Sequence, residues 1–159
     1  MGAASTDAAA MQRAIAASRA ALHAGNNPYG AVLVSAAGAV LHVATNQQHT
    51  AHDPTAHAEV MLVREAAARL GAAALRDTTV YASGEPCAMC AGALYWAGVR
   101  RIVYAASNEV MNGLFGGDQL PIHCAEVLAS ASRQVQVDGP VLADAAVAVL
   151  QEAVARGKG

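Results

Sequence analysis

Apolar positions near the start of the chain recur at helical spacing. Between Thr6 and Ala24 they form a stripe that contains Met11, Ile15 and Leu22. Gly25 follows this segment, and glycine is a common residue just after the last turn of a helix. The pattern therefore predicts an amphipathic helix that ends at Gly25.

After this helix the apolar period shortens, and short apolar runs begin to alternate with helical ones. Ala31 to Ser35 and Ala39 to Ala44 flank Ala36-Ala37-Gly38, which predicts a β-hairpin. The later elements are predicted in this order: a loop at Asn46 to Asp53, a helix to about Leu70, a strand at Thr78 to Ala82, a helix at Cys87 to Ala97, a strand at Arg101 to Ala105, an irregular glycine-rich segment at Gly113 to Pro121, a helix at Pro121 to Ala131, a strand at Val135 to Val137 and a helix at Val141 to Arg156. Such alternation indicates an α/β fold with a parallel or mixed sheet between helices.

Length and composition limit the kind of protein this is. A chain of 159 residues has the usual size of one domain, and no linker or repeat interrupts it, so we expect a single domain over residues 1–159. No apolar run approaches the about 20 residues of a membrane span, and the N-terminus lacks the pattern of a signal peptide. Two of the three cysteines are close in sequence and the third, Cys124, has no evident disulfide partner. We therefore expect a cytoplasmic protein without a membrane partner.

Two short motifs carry the candidate chemistry, and both lie at predicted helix starts. Asp53-Pro54-Thr55 reads as a capping residue followed by proline, which places His57 and Glu59 in the first turn of a helix that Gly71 ends. Pro86 opens a second helix in the same way, with Cys87 and Cys90 one turn apart on one face. Two helix N-termini, whose dipoles favour thiolates, are then expected to converge on one metal.

The ligand count favours a catalytic zinc over a structural one. His57, Cys87 and Cys90 supply three ligands, and a structural zinc site uses four protein ligands. We therefore expect one Zn²⁺ per chain, with a water or hydroxide as the fourth ligand. Glu59 stands beside the histidine in H-x-E and is the candidate proton shuttle. Less specific interpretations are a redox pair at Cys87 and Cys90, and a Glu59 that only complements the helix dipole.

The two motifs together resemble the cytidine deaminase superfamily of zinc-dependent deaminases. The resemblance rests on residues 52–60 (HDPTAHAEV) and 85–93 (EPCAMCAGA), and it extends over roughly residues 7–115, with a weaker match at 137–149. It is closest to the branch of guanine deaminases and bacterial tRNA adenosine deaminases, which residues 28–32 (PYGAV) also resemble. The family implies a three-layer α/β/α fold with a central mixed sheet of about five strands flanked by helices.

The same resemblance implies how a base would be held. The Asn46 side-chain amide would bind the substrate ring, together with backbone groups at Ala58 and Ser83. Tyr29 belongs to the matching PYGAV segment, and Trp96 is a candidate for the cavity or for a subunit interface. In guanine deaminases an acid downstream of the strand at 102–105 reads the guanine edge. In this chain Asp118 or Glu109 is the candidate for that role, although neither aligns cleanly.

The net charge bears on the choice of substrate. The chain has a formal charge of −2 and a single lysine, Lys158, whereas proteins that bind folded RNA usually carry a basic patch. A small nucleobase is therefore favoured over a nucleic acid, although clustering or dimerisation could still create a cationic surface. Residues 85–97 look most like guanine deaminases, so we expect deamination of a free purine such as guanine. The alternatives are a tRNA adenosine deaminase, a deaminase of cytosine or another aminated pyrimidine or triazine, and a zinc-stabilised scaffold without turnover. Members of this superfamily are commonly dimers, so a homodimer is also expected.

Overall fold

One mixed sheet with helices on both faces organises the computed structural model, which describes residues 3–157. The chain's single lysine, Lys158, lies outside this range. The helices and strands of the described residues are α1 (Ala3–His23), β1 (Gly30–Val34), β2 (Val40–Thr45), α2 (Ala58–Leu70), a 3₁₀ turn (Ala72–Leu75), β3 (Thr79–Gly84), α3 (Ala88–Ala97), β4 (Arg101–Ala106), α4 (Asn108–Phe115), α5 (Cys124–Val127), β5 (Gln136–Asp138) and α6 (Ala143–Ala155).

The strand order is β2-β1-β3-β4-β5, with antiparallel pairing on one side of β3 and parallel pairing on the other. The predicted hairpin forms: β1 pairs antiparallel with β2, and also with β3. β3 and β4 are parallel neighbours with Val80 opposite Ile102, and β4 pairs in parallel with β5. Because α3 makes the crossover between β3 and β4, its N-terminus lies at the carboxyl end of the sheet.

Side chains of the strands alternate between two apolar cores. Leu33, Val80 and Ile102 face a core that includes residues of α2, α3 and α5. Their neighbours Tyr81 and Val103 face the opposite core, which includes residues of α1 and α6. This period of two is what a sheet covered on both faces requires. The expected three-layer α/β/α architecture, with a mixed sheet of five strands, is thereby confirmed.

Some local predictions were wrong in their boundaries or missed an element. α2 begins at Ala58 and not at Pro54, because the Asp53 carboxylate accepts the Thr55 backbone N–H in a local turn instead of capping the helix. The segment 113–121 was predicted to be irregular, but residues up to Phe115 belong to α4, which starts where the Ser107 hydroxyl accepts the Val110 N–H. The helix predicted over 121–131 is a single turn, α5.

A polar cluster joins α1 to the strands β3 and β4. Asp7 on α1 is bound to Arg101 on β4 through two hydrogen bonds of 2.8 Å, and it accepts a third from the Tyr81 hydroxyl at 2.6 Å. This buried polar cluster fixes α1 across the two central parallel strands.

Among the helices that the structure describes, none has the length and apolar character needed to cross a membrane.

Candidate active site

The N-termini of α2 and α3 meet at one point, as the motif spacing predicted. His57 is the N-cap residue of α2 and Cys87 is the N-cap residue of α3, both in extended backbone conformation. His57 was expected inside the first turn of its helix, and it lies one step earlier because the helix starts late. Glu59 is in the first turn, as expected. Gly71 and Gly98 end the two helices with positive φ angles of 87° and 92°.

The three predicted zinc ligands lie within bonding reach of one ion. The Nδ1 atom of His57 is 3.7 Å from the Cys87 Sγ and 3.5 Å from the Cys90 Sγ. A tetrahedral zinc with Zn–S bonds of about 2.3 Å and Zn–N bonds of about 2.0–2.1 Å holds nitrogen and sulfur roughly 3.6 Å apart. The donors also match the nitrogen and thiolate ligands that zinc prefers. The site therefore fits zinc.

The electrostatics of the cluster favour a thiolate at Cys87. The pKa of the Cys87 thiol is lowered to about 4, chiefly by the hydrogen bond from Cys90 and also by the adjacent His57. The hydrogen bond to Cys87 in turn raises the pKa of His57. Glu59 is buried, and that burial raises the pKa of its carboxyl group. A carboxyl group beside a metal site with a raised pKa can both accept and donate a proton.

A pocket of about 520 Å³ opens beside His57 and Glu59. Its walls combine flat or apolar side chains with a set of neutral amides, which is the composition of a small-molecule site. The apolar part comprises Tyr29, Pro54, Met89, Met111, Phe115 and Leu120. The amide part comprises Asn46, Gln48, Asn108, Asn112 and Gln119.

The structure brings three of the predicted substrate contacts to this pocket. Asn46, Tyr29 and Asp118 all line it. Asn46 is 1% exposed, and burial raises the pKa of the Tyr29 hydroxyl above its usual value. The base contacts themselves stay predictions, because a shared pocket shows proximity and not binding.

Other predicted residues lie elsewhere in the chain. Ala58 and Ser83 are buried and lie outside the set of lining residues; the Ser83 hydroxyl accepts the backbone N–H of Gly30 at 3.0 Å. Trp96 is 84% exposed on α3, so within one chain it does not line the cavity. Glu109 also lies outside the lining set and forms an ion pair with His123. Of the two acids considered for the guanine edge, only Asp118 is in the pocket.

The sequence interpretation missed one wall of the pocket, which α4 supplies. Asn108, Met111, Asn112 and Phe115 all line the cavity and follow one another at helical spacing. A signal was present, since Ser107 is a good capping residue and apolar residues recur after it. The glycines that follow concealed it.

A family comparison agrees with this geometry. Residues 4–106 match the model of the cytidine and deoxycytidylate deaminase zinc-binding region. The chain belongs to this deaminase family. Among relatives in the family, the guanine deaminase of Bacillus subtilis is 43% identical over 99 residues, which are 62% of this chain and 63% of that enzyme. The probable cytosine deaminase of Schizosaccharomyces pombe is 35% identical over 148 residues, which are 89% of this chain and 88% of that protein.

Solved structures of other deaminases have the same fold. A guanine deaminase from Nitrosomonas europaea superposes with a TM-score of 0.81 at 29% identity, over 92% of this chain and 84% of its own. A structure from work on tRNA:A34 deaminases superposes with a TM-score of 0.74 at 27% identity, over 89% of this chain and 98% of its own. The relatives therefore include proteins named for three different bases.

Proposed function

We propose that this protein is a zinc-dependent aminohydrolase that converts free guanine to xanthine and ammonia. One observation carries the proposal. A His57, Cys87 and Cys90 ligand set stands beside the buried carboxyl group of Glu59, at a pocket of the size that a single base requires. Three protein ligands leave one coordination position for water, as in catalytic zinc sites.

When bound, zinc would supply a Lewis acid that lowers the pKa of a coordinated water to about 7. Glu59 then has two proton transfers to perform. It accepts one proton from the attacking water and delivers it to the ring nitrogen next to the amine-bearing carbon. It then moves the proton of the new hydroxyl group to the departing amine, so that the carbon–nitrogen bond breaks and ammonia leaves. Burial that raises the pKa of Glu59 suits a group that alternates between the two states.

The pocket walls support a free base over a nucleotide. Among the described residues that line the pocket, none is arginine or lysine, the side chains that usually bind phosphate. Tyr29 and Phe115 offer flat apolar surfaces for a ring. Asp118 offers a carboxylate that can accept hydrogen bonds from the N–H groups of guanine. The base-pairing edges of adenine and cytosine carry fewer N–H donors than that of guanine, so this carboxylate favours guanine.

Guanine is further supported by two relatives, one by sequence and one by structure, that are named guanine deaminases. Cytosine is the second candidate, because the relative named as a probable cytosine deaminase aligns with 89% of this chain. Adenosine in tRNA is the third, since a tRNA:A34 deaminase structure shares the fold over almost its whole length. The formal charge of −2 disfavours this third candidate.

The deciding experiment measures ammonia release by the zinc-loaded protein with guanine, guanosine, adenine, cytosine and a tRNA anticodon stem-loop in parallel. We expect release from guanine. Release from cytosine alone, or from the stem-loop alone, would replace guanine with the second or third candidate. Silence on all five with full zinc content would overturn the nucleobase assignment.

We also propose that two chains associate as a homodimer. Trp96 is 84% exposed, and tryptophan is enriched in protein–protein interfaces relative to the rest of the surface. Sedimentation velocity across the micromolar range is expected to show a dimer. A sedimentation coefficient of a monomer over that whole range would contradict it.

A further inference from the structure

Glu85 is a buried acid whose side chain contacts two chain segments far from it in the sequence. It follows β3 directly and precedes the Pro86-Cys87 segment that begins the second half of the metal site. Its side chain is only 2% exposed. A carboxylate in such a position costs free energy unless each oxygen has partners, so the identity of those partners is informative.

The two carboxylate oxygens bind two separate chain segments. Oε1 accepts the backbone N–H of Asn108, the first residue of α4, at 3.0 Å. Oε2 accepts the backbone N–H of Cys124, the first residue of α5, at 2.9 Å. First-turn amides have no acceptor within their own helix, so Glu85 supplies one for each helix.

A third contact of Glu85 is made with His123, the residue before α5. The His123 Nδ1 lies 3.1 Å from Glu85 Oε2, and its Nε2 lies 2.8 Å from Glu109 Oε1. The neighbouring carboxylates, Glu85 first and then Glu109, raise the pKa of the His123 ring. The pair between His123 and Glu109 on α4 is largely exposed, so it adds little to the hold that Glu85 exerts.

The residues between these two anchor points form a large part of the pocket. Asn108, Met111, Asn112 and Phe115 on α4 line the cavity, and so do Asp118 and Leu120 beyond it. Thus the segment 108–123, which departs from the sheet and returns to it, is held at both ends by one side chain. Glu85, which holds both ends of this segment, is two positions before the predicted metal ligand Cys87. The pocket wall on segment 108–123 and the metal site are therefore supported by the same stretch of chain.

Gly84 allows the wall to approach this support closely. A Cβ at Gly84 would lie 2.7 Å from the Met111 Sδ and 3.1 Å from the Tyr29 ring. The first distance is shorter than real Cβ contacts and the second is tight, so the Met111 side chain of α4 packs directly on the backbone next to Glu85. The contact agrees with a wall whose position is set at the end of β3.

We propose that Glu85 is a positioning residue that pins both ends of segment 108–123 and thereby sets the distance between the substrate wall and the metal site. The kinetic part of this inference rests on the proposed deaminase function, whereas the structural part does not. We assign Glu85 no role in proton transfer, because both of its oxygens already bind groups of α4 and of the segment that begins α5.

The first test uses the unaltered protein and needs no substrate. Backbone amide hydrogen exchange, read residue by residue by NMR, is expected to show strong protection at Asn108 and Cys124. The amide of Ala125, the second residue of α5, serves as the internal reference, because first-turn amides normally exchange fast. Fast exchange at Asn108 and Cys124 would overturn the proposal, whether or not any base is deaminated.

The second test compares Glu85→Gln with Glu109→Gln. Both variants remove one negative charge next to His123. Glutamine at position 85, however, has only one acceptor oxygen for the two backbone N–H groups of Asn108 and Cys124. We expect Glu85→Gln to keep its zinc, to keep kcat within about threefold and to raise KM by about tenfold, the loss of one hydrogen bond. Glu109→Gln should leave KM within about twofold.

The outcomes distinguish the positioning role of Glu85 from a general charge effect. Equal KM effects in the two variants would show a charge effect and overturn the proposal, as would loss of zinc or of kcat with an unchanged KM. If Glu85→Gln does not fold, the exchange measurement on the unaltered protein decides alone. If no base releases ammonia, the proposed function fails, while the exchange measurement still decides whether Glu85 holds both ends of segment 108–123.

Discussion

Gln48 holds the side-chain amide of Asn46 from two sides. The Gln48 backbone N–H donates to Asn46 Oδ1 at 2.9 Å, and Asn46 Nδ2 donates to Gln48 Oε1 at 2.7 Å. A backbone N–H can only face an oxygen, so this contact fixes which end of the amide is which. Gln48 is itself held by Asn27 Nδ2 at 3.0 Å. Asn46 is left with one N–H and one lone pair in a fixed direction, which suits recognition of a ring edge.

Replacing Gln48 with methionine should therefore weaken substrate binding without affecting the metal site. The change keeps the length of the side chain but removes the acceptor that orients Asn46. We expect KM to rise by about threefold to tenfold, with zinc content unchanged, in steady-state ammonia release. Gln47→Met is the matched control, because Gln47 does not line the pocket. An equal KM for both variants would show that the orientation of Asn46 does not depend on the Gln48 side chain.

Glu59→Gln should slow turnover by orders of magnitude and retain zinc. The glutamine has nearly the same shape but cannot move protons, and Glu59 lies outside the ligand cluster formed by His57, Cys87 and Cys90. We expect kcat to fall by about 10²–10⁴-fold, the usual contribution of a general acid–base group. Zinc content by atomic emission and the melting temperature are the companion measurements. Activity close to that of the unaltered protein, at full zinc content, would rule out the proton-transfer role.

Much of this site could be predicted because its signals are local. His57, Cys87 and Cys90 are placed by short motifs at helix starts, and Gly71 and Gly98 mark where those helices end. Each of these signals depends on residues within a few positions of one another, so no knowledge of the folded chain is needed.

The remainder depends on contacts between distant segments. Asp53 carries a capping-type side chain, but the same chemistry also closes a turn on Thr55, and only the folded structure distinguishes the two. α4 reaches the pocket because it follows β4, which pairs with β3, and this pairing joins residues far apart in the sequence. Glu85 gives no signal in the sequence, because its partners Asn108 and Cys124 are more than twenty residues away.

Asp7 should contribute stability that disappears in acid. The Arg101 guanidinium holds the pKa of the Asp7 carboxyl below its usual value, with a further contribution from the Tyr81 hydroxyl. A carboxyl group with a lowered folded-state pKa stabilises the fold above its unfolded pKa of about 3.9, and this stability is lost as the pH falls through the folded pKa. Thermal unfolding followed from pH 7 to pH 2 should therefore show a steep decline below about pH 4.

Asp7→Asn is expected to lower the free energy of unfolding at pH 7 by about 1–3 kcal/mol, since it leaves Arg101 without its ionised partner. The variant should also show a shallower decline in acid. Asp144→Asn is the matched control, because Asp144 is in the first turn of α6 and is exposed. If both variants have the same acid limb as the unaltered protein, Asp7 is not the group responsible.

Gly84→Ala should reshape the pocket with little effect on the metal ligands. The added methyl group would displace the Met111 side chain, whose Sδ is at the flexible end, and would press on the Tyr29 ring. Because both residues line the cavity, we expect KM to rise by at least about threefold and zinc content to stay constant. Gly92→Ala is the matched control: it lies within α3, nothing is within 4 Å of the place that its added methyl group would take, and alanine favours a helix by about 0.5–1 kcal/mol. A KM that rises equally in both variants would place the effect in general packing, whereas a rise confined to Gly84→Ala would show that the approach of α4 to the end of β3 determines how tightly the base is bound.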